Sequence, residues 1–274
     1  MGRMFHFSDI HFGRENKAAV AAALEHAHAN ERDLVLITGD VTQMGYRREF
    51  AAAAEWIRAM PEPVFVTTGN HDVSYWDPVA RIFFPWKRFE QYVGHPAVDH
   101  QFEAPGLSVR GVNTARGWQM RMNWSKGVID LEQTRRAADA LARAPEGNLK
   151  VLACHHPLIE MIGGPMTGEV KRGAAAAQIF ADCGVDLVMT GHVHVPFALP
   201  ITIGDHCSYA VGTGTLSDRE RGAPPGFNCV EWDDATVNVT ALGWTGSHFE
   251  PQRTWSLARR SQTKTAALRA AASV

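Results

Sequence analysis

A chain of 274 residues, 45% hydrophobic and 20% charged, can bury a sizeable core and has the composition of an ordinary globular protein. Its formal net charge of −2 gives no general electrostatic reason to bind nucleic acid, and no apolar run approaches the length needed to span a bilayer. Cys154, Cys183, Cys207 and Cys229 show no CxxC pairing, which argues against a cysteine-based zinc cluster and for reduced thiols. The first strand signal starts almost at Met1 and leaves no room for a cleaved leader, so the expected location is cytoplasmic.

In chain order, strand and helix signals alternate, and five strands end in the same way. Arg3-Met4-Phe5-His6-Phe7-Ser8 gives way at once to Asp9-Ile10-His11. Residues 17–30 are strong helix formers with a weak apolar face at Val20, Leu24 and Ala27. The run from Leu34 to Thr38 leads into Gly39-Asp40. Residues 46–60 place Phe50, Ala53, Ile57 and Met60 at helical spacing, and Pro61 stops the run. The run from Val64 to Thr68 meets Gly69-Asn70-His71-Asp72. Asp130 and Gln133 predict a capping box that opens a helix through Leu131, Ala138 and Leu141. The run from Lys150 to Cys154 meets His155-His156-Pro157. Residues 174–183 predict a shorter helix with Gly184 as its C-cap. Last, Asp186 to Thr190 meets Gly191-His192-Val193-His194. This order predicts a largely parallel sheet flanked by helices. Its polar tips lie along one edge, where open α/β folds build their sites.

Beyond His194 the pattern changes. Segments 198–203, 206–211, 227–232 and 235–243 are rich in β-branched residues and separated by turn residues, as antiparallel strands are. A second sheet packed on the first accommodates both halves. The expected organisation is one catalytic domain over residues 1–250 and a basic tail over 251–274. The tail carries Arg253, Arg259, Arg260, Lys264 and Arg269 and is expected to be helical. Residues 73–93 are dense in aromatics, and residues 160–173 read as a flexible Gly- and Met-containing segment.

Asp9 and His11 are two apart, so an extended backbone would direct both to one side, and His192 and His194 share that spacing. With Asp40, Asn70 and one of His155 and His156, they supply seven ligands, enough for two ions that share Asp40. Carboxylates mixed with imidazoles suit Mn, Fe, Zn or Co better than Ca. Two divalent ions against two ionised aspartates leave positive charge to stabilise hydroxide and a phosphoryl group. Ions about 3.5–4 Å apart perform both tasks.

The series Asp9-x-His11, Gly39-Asp40, Gly69-Asn70-His71-Asp72, His155 and Gly191-His192-x-His194 resembles the full signature of calcineurin-like metallophosphoesterases, in family order. The resemblance implies a four-layer αββα sandwich of two mixed β-sheets flanked by helices. It implies that Asp9, His11, Asp40 and His194 hold one metal ion, and that Asp40, Asn70, His155 and His192 hold the other. It implies that His71 contacts the phosphate or protonates the leaving oxygen, with Asp72 orienting the ring. His155 is preferred to His156 because the family ligand lies two residues before a proline, here Pro157. The similarity is nearest to the bacterial branch of class III cyclic nucleotide phosphodiesterases and glycerophosphodiesterases. Gly212-Thr213-Gly214-Thr215, followed by Arg219, Arg221, Gly222 and Phe227-Asn228, also resembles that branch.

The leading expectation is therefore dimetal hydrolysis of a small phosphodiester such as a 3′,5′-cyclic nucleotide. A glycerophosphodiester or phospholipid head group is the alternative, and it would give Trp76, Phe83, Phe84 and Trp86 a role. A nuclease and a non-catalytic metal-binding scaffold rank lower. A small diester, a lipid or membrane surface and a second copy of the chain are the expected partners; nucleic acid is not. Several residues also carry plain readings. His6 reads as a hydrogen-bonded core residue and His26 and His28 as solvated helix residues. His95, His100, His206 and His248 have no partner visible in sequence. Arg116, Arg121, Arg219 and Arg221 default to the solvated surface.

Overall fold

The computed structural model describes residues 1–120, 123–159, 170–203 and 206–259. The expected flexible segment, the side chain of Arg121 and the tail from residue 260 onward lie largely or wholly outside these residues. In chain order the first half comprises β1 (Gly2–Phe7), α1 (Lys17–Ala29), β2 (Leu34–Thr38), α2 (Arg47–Ala59), β3 (Val64–Thr67), α3 (Pro78–Phe83) and α4 (Lys87–Val93). There follow β4 (Gln101–Ala104), β5 (Leu107–Gly111), α5 (Leu131–Ala142), β6 (Leu149–Ala153), α6 (Gly173–Cys183) and β7 (Leu187–Thr190). The chain closes with β8 (Phe197–Ile203), β9 (His206–Gly212), β10 (Gly226–Trp232), β11 (Thr236–Trp244) and β12 (Phe249–Ala258).

Two six-stranded mixed sheets result, ordered β12-β11-β10-β1-β2-β3 and β4-β5-β6-β7-β9-β8. Strands β1, β2 and β3 are parallel in the first, and β5, β6, β7 and β9 in the second. Side-chain alternation builds the layers. Met4, Leu34, Leu36 and Phe65 of the first sheet meet Val109, Val151, Leu187 and Val211 of the second. Phe5 and Phe7 point the other way, onto Val20, Phe50, Trp56 and Ile57 of α1 and α2. On the far face Leu152 and Val188 pack against Ala138, Leu141, Ala177 and Phe180 of α5 and α6. The αββα sandwich implied by the motifs is the fold observed. Phe7, fully buried between Trp56 and Phe227, is a typical anchor, and truncating such a side chain costs about 3–5 kcal/mol.

Three local expectations need correction. Residues 251–258 are not helical: they lie in β12, antiparallel to β11, so a boundary at 250/251 falls within a strand. Trp255 and Leu257 recur at the strand period of two and both turn onto the core between the sheets. Arg259 is buried and donates to the carbonyls of Asp233 and Gly147, so it is structural rather than solvated. At α5, Asp130 caps alone, because the Gln133 side chain instead accepts from the Asn113 amide. His26 is half-buried between Phe5 and Phe227, although His28 is exposed as expected. Among the described residues no helix is long and apolar enough to cross a membrane.

Candidate metal centre

Parallel strands that share a direction bring their C-terminal ends to one edge, and the two sheets bring two such edges together. Asp9, Asp40 and Asn70 follow β1, β2 and β3; His155 follows β6, and His192 and His194 follow β7. The backbone there is not extended. Asp9, His11, Asp40, His192 and His194 all take left-handed φ values between 50° and 67°. A sharp turn after each strand, rather than pleat alternation, turns the paired side chains to one centre. Non-glycine residues in this region are uncommon, and each costs about 1–3 kcal/mol unless its surroundings hold it. Here they are held: the amides of Asp9 and His11 donate to the carbonyls of Gly39 and Asp40, and Thr215 Oγ1 donates to the Asp9 carbonyl. Two glycines permit the close approach of the tips. A Cβ on Gly69 would strike Asp40, and one on Gly191 would strike Ser8 and Asp9.

The expected ligands converge. Asp9 Oδ1 lies 3.0 Å from His194 Nε2 and 3.6 Å from His11 Nε2, and Asp40 Oδ2 lies 3.1 Å from His155 Nε2. Donor atoms of Asp9, His11 and His194 lie within 4.8 Å of one another, as do those of Asp9, Asp40 and His155. A neighbouring group of the same kind contains His155, His156 and His192. Three buried atoms at these tips lack a partner of hydrogen-bond geometry: Asp9 Oδ1 and His155 Nε2, which have only the Asp–His contacts just given, and Asn70 Oδ1. Each unpaired buried group costs about 1–3 kcal/mol, so a trio in one place has the character of a cation cradle. The second ring nitrogens support that character. His155 Nδ1 bonds the Thr38 carbonyl at 2.8 Å and His194 Nδ1 bonds that of Arg219 at 2.7 Å, leaving each Nε2 as a lone pair facing inward. His156 differs, since Thr114 Oγ1 and the Ser125 carbonyl engage both of its nitrogens.

The electrostatics suit divalent cations. Burial works to raise Asp9, but the neighbouring His194 and His155 outweigh it and hold the carboxyl well below its usual range. Asp40 is lowered in the same way, burial being outweighed by His155 and His71. Burial brings His11 down to about 4 and His192 to about 3, the latter helped by His155. Two ionised carboxylates among imidazoles and an amide oxygen have the donor chemistry to hold two metal ions.

His71 and Asp72 do not form a dyad. The His71 ring is held through Nδ1 by the Gln43 carbonyl at 2.6 Å, and its amide donates to Asp40 Oδ1. The Asp72 carboxylate turns away: Oδ1 accepts from the amide and hydroxyl of Thr42, and Oδ2 accepts from the Gly69 amide. Sequence adjacency places these side chains on opposite sides of the tip, so Asp72 braces the loop instead of the ring. Burial, then the charge of Asp40, pushes its carboxyl up to about 7 against the pull of those hydrogen bonds.

Arg219 is not on the solvated surface. Its Nη1 lies 3.1 Å from His71 Nε2 and 3.3 Å from His11 Nε2, over the centre. Its place in the motif resemblance after Gly212–Thr215, and its charge as a contact for a substrate anion, were the signals for it in the sequence. Arg221 bonds the His192 carbonyl, whereas Arg116 is turned to the carbonyls of Asn113 and Ala115. The other histidines settle elsewhere. His6 bonds Thr38 Oγ1 at 2.9 Å in the core, His95 and His100 pair with each other, and His248 pairs with Glu250.

The centre opens into two joined cavities. A polar one of about 280 Å³ is bounded by Asp40, His192, His194, Lys126, Arg219 and Arg221. A larger one of about 690 Å³ is bounded by Met44, Val73, Tyr75, Arg81 and Trp124. Asn70, His71, Asn123 and Ser125 wall both. The residues from 123 to 126 carried no signal in the sequence.

Carboxylates and imidazoles gathered at the joined strand ends of an αββα sandwich make a centre that could hold metal ions. The sequence matches the calcineurin-like phosphoesterase family over residues 2–196, and the chain belongs to that family. The fold is similar to purple acid phosphatase PPD1 from yellow lupin, with a TM-score of 0.69 and 13% identity. That likeness covers 95% of this chain and 54% of the lupin chain, so this chain spans about half the length of that protein. A dimetal phosphatase from Danio rerio is similar with a TM-score of 0.66 and 9% identity, over 94% of this chain and 99% of that one. GAP50, the anchor in the inner membrane complex of Plasmodium, gives 0.60 and 12%, over 94% and 89%. No curated protein matches the sequence.

Proposed function

We propose that this chain hydrolyses phosphodiesters of small molecules at a two-ion centre. Asp9, His11, Asp40 and His194 would hold one ion, and Asp40, Asn70, His155 and His192 the other. The bound ions would supply an activated water and neutralise phosphoryl charge. The chain's own residues do the rest. Arg219 turns its guanidinium from His71 to a phosphoryl oxygen, a charge-assisted hydrogen bond. His71, held through Nδ1–H by the Gln43 carbonyl, meets the leaving oxygen with Nε2; when the ring is protonated at both nitrogens it gives the Nε2 proton to that oxygen and is left as the neutral Nδ1–H ring.

The observation that carries the diester reading is the pair of cavities that meet at Asn70 and His71. The polar lobe, bounded by Asp40, His192, His194 and Arg219, would take the phosphate, and the larger lobe leaves room beside it for the organic part of an esterified phosphate. Exposed Trp76, Phe83 and Phe84 near the larger lobe favour an amphiphilic diester, a glycerophosphodiester or phospholipid head group. The 3′,5′-cyclic nucleotide is the second reading, favoured by Tyr75 and Trp124, which give that lobe aromatic walls able to receive a base.

The test is turnover by the Mn²⁺-loaded chain of glycerophosphocholine, 3′,5′-cyclic AMP and p-nitrophenyl phosphate. Preference for either diester supports the reading, and preference for the monoester sinks it. His71→Ala should retain both metals and lose about 10²–10⁴-fold in turnover, the range of a general acid. Unchanged turnover would remove His71 from its role.

A further inference from the structure

The aromatic stretch after the Asn70–Asp72 tip divides in two. Its second half is ordinary core, with Phe89 and Val93 of α4 buried. Its first half is not. Trp76, Val79, Phe83 and Phe84 on and beside α3 are between 60% and 68% exposed. Trp118 and Met120, in the next loop, are 52% and 90% exposed. The two segments are joined: buried Arg81 of α3 donates to the Gly117 carbonyl at 2.8 Å and lies 4.9 Å over the Trp124 ring. Arg81 and Trp124 also wall the larger cavity, so the exposed apolar rim borders the cavity mouth. Single exposed apolar residues need no explanation, but six large ones on two bridged segments do.

We propose that this rim is a docking surface for an anionic lipid bilayer, which it holds against the mouth of the larger cavity. Charge distinguishes a bilayer from other occupants. Lys87 sits 5.8 Å over the Phe84 ring. Arg47 and Arg48 are exposed beside it and, with Arg88 and Tyr46, line an open hollow of about 570 Å³. Arg88 binds this hollow to the rim through the Gly45 carbonyl and Ser74 Oγ. The acids nearby are fewer. Asp77 is taken up by capping α3 and pairing with Arg88, Glu49 by the amides of Met44 and Tyr46, and Glu90 is exposed. The face is thus cationic on a chain of net charge −2. Tryptophan beside lysine and arginine suits the head-group layer, where rings enter and cations meet lipid phosphate. A symmetric dimer through this face would instead oppose its cations to their own copies. Docking is a property of the surface and stands whichever diester the site cleaves.

The experiment is cosedimentation of the full chain with vesicles of phosphatidylcholine alone and of phosphatidylcholine mixed with phosphatidylglycerol. Binding to the mixed vesicles, weakened by salt, is expected. Phe83→Ser with Phe84→Ser should lower partitioning about tenfold or more while keeping the circular dichroism of the parent. Arg48→Glu with Lys87→Glu should remove the preference for the anionic vesicles. Absence of sedimentation, or a Phe83/Phe84 variant that binds like the parent, would overturn the proposal. So would a dimer seen by light scattering that the same variant abolishes, since a second copy would then be the occupant. A chain that binds vesicles but turns over no diester fails the functional reading alone.

Discussion

Replacing Asp72 by Asn separates a brace from a dyad partner. The carboxylate is fully buried and accepts three hydrogen bonds, at 2.9 and 3.0 Å from Thr42 and 2.8 Å from the Gly69 amide. Asparagine has the same shape, and its oxygen can keep both Thr42 bonds. Its NH₂ group then faces the Gly69 N–H, donor against donor. Leaving one buried donor unsatisfied costs about 1–3 kcal/mol, and removing a carboxyl that burial and Asp40 push up to about 7 offsets part of that cost. Together these give a loss of about 1–2 kcal/mol. Gly69 precedes Asn70, so loosening it should also weaken metal binding about 10–100-fold, as removal of a group that holds a ligand does. Urea unfolding with saturating Mn²⁺ reads the stability, titration with Mn²⁺ reads the affinity, and the pH profile of kcat should keep its shape. Parental stability combined with a displaced limb of that profile would show that Asp72 acts on His71 after all.

His155→Ala should lower bound metal from about two ions per chain to about one by elemental analysis, while His156→Ala keeps both. Loss of an ion in the His156 variant alone would reverse that assignment. Arg219→Ala should lower kcat about 10²–10³-fold, the scale of a lost donor to transition-state charge, with metal content unchanged. An effect confined to KM would make Arg219 a binding group only. Burial brings His6 down to about 3 from its ordinary 6.5, so between those values the unfolded chain binds the extra proton. Its contribution is complete above about pH 6.5 and is lost as pH falls toward 3, by up to about 1.4 kcal/mol per unit. Urea unfolding of metal-loaded parent and His6→Asn from pH 7 to 4 should therefore show a shallower slope for the variant, and parallel slopes would refute the burial argument.

The layers and the five tips were legible because each rests on a local pattern. Apolar runs at strand period, helices between them and abrupt polar ends need no tertiary information. What escaped depends on the chain meeting itself. Arg219 reaches His71 across 148 positions, and no spacing rule reports such an approach. Asp72 was misread for the opposite reason: its neighbour in sequence is not its partner in space. In residues 251–258 the strand signal is only the two-residue repeat of Trp255 and Leu257, which pairing with β11 makes decisive. His156 is a middle case. Its adjacency to His155 left two candidate ligands, and only Thr114 and Ser125, far along the chain, take its nitrogens away.

The same contrast bears on how the centre forms. Five of its seven expected ligands stand in left-handed backbone, and at about 1–3 kcal/mol each their strain rivals the net stability of a domain. Asp9 Oδ1, Asn70 Oδ1 and His155 Nε2 add buried atoms with no hydrogen bond to offset their desolvation. Contacts within the ligand set, such as the His11 amide to the Asp40 carbonyl and the His192 amide to Asp9 Oδ2, offset part of these costs. Bonds from elsewhere, such as Thr215 to Asp9, also oppose the backbone strain, and bound cations would satisfy the unpaired atoms. Metal binding would then supply part of the free energy that holds the tips in place and would link folding to metal loading. That linkage gives the late segment from Thr213 to Arg219 a structural reason to exist. It closes over the tips, tying Asp9 through Thr215, His194 through the Arg219 carbonyl and His71 through the Arg219 guanidinium.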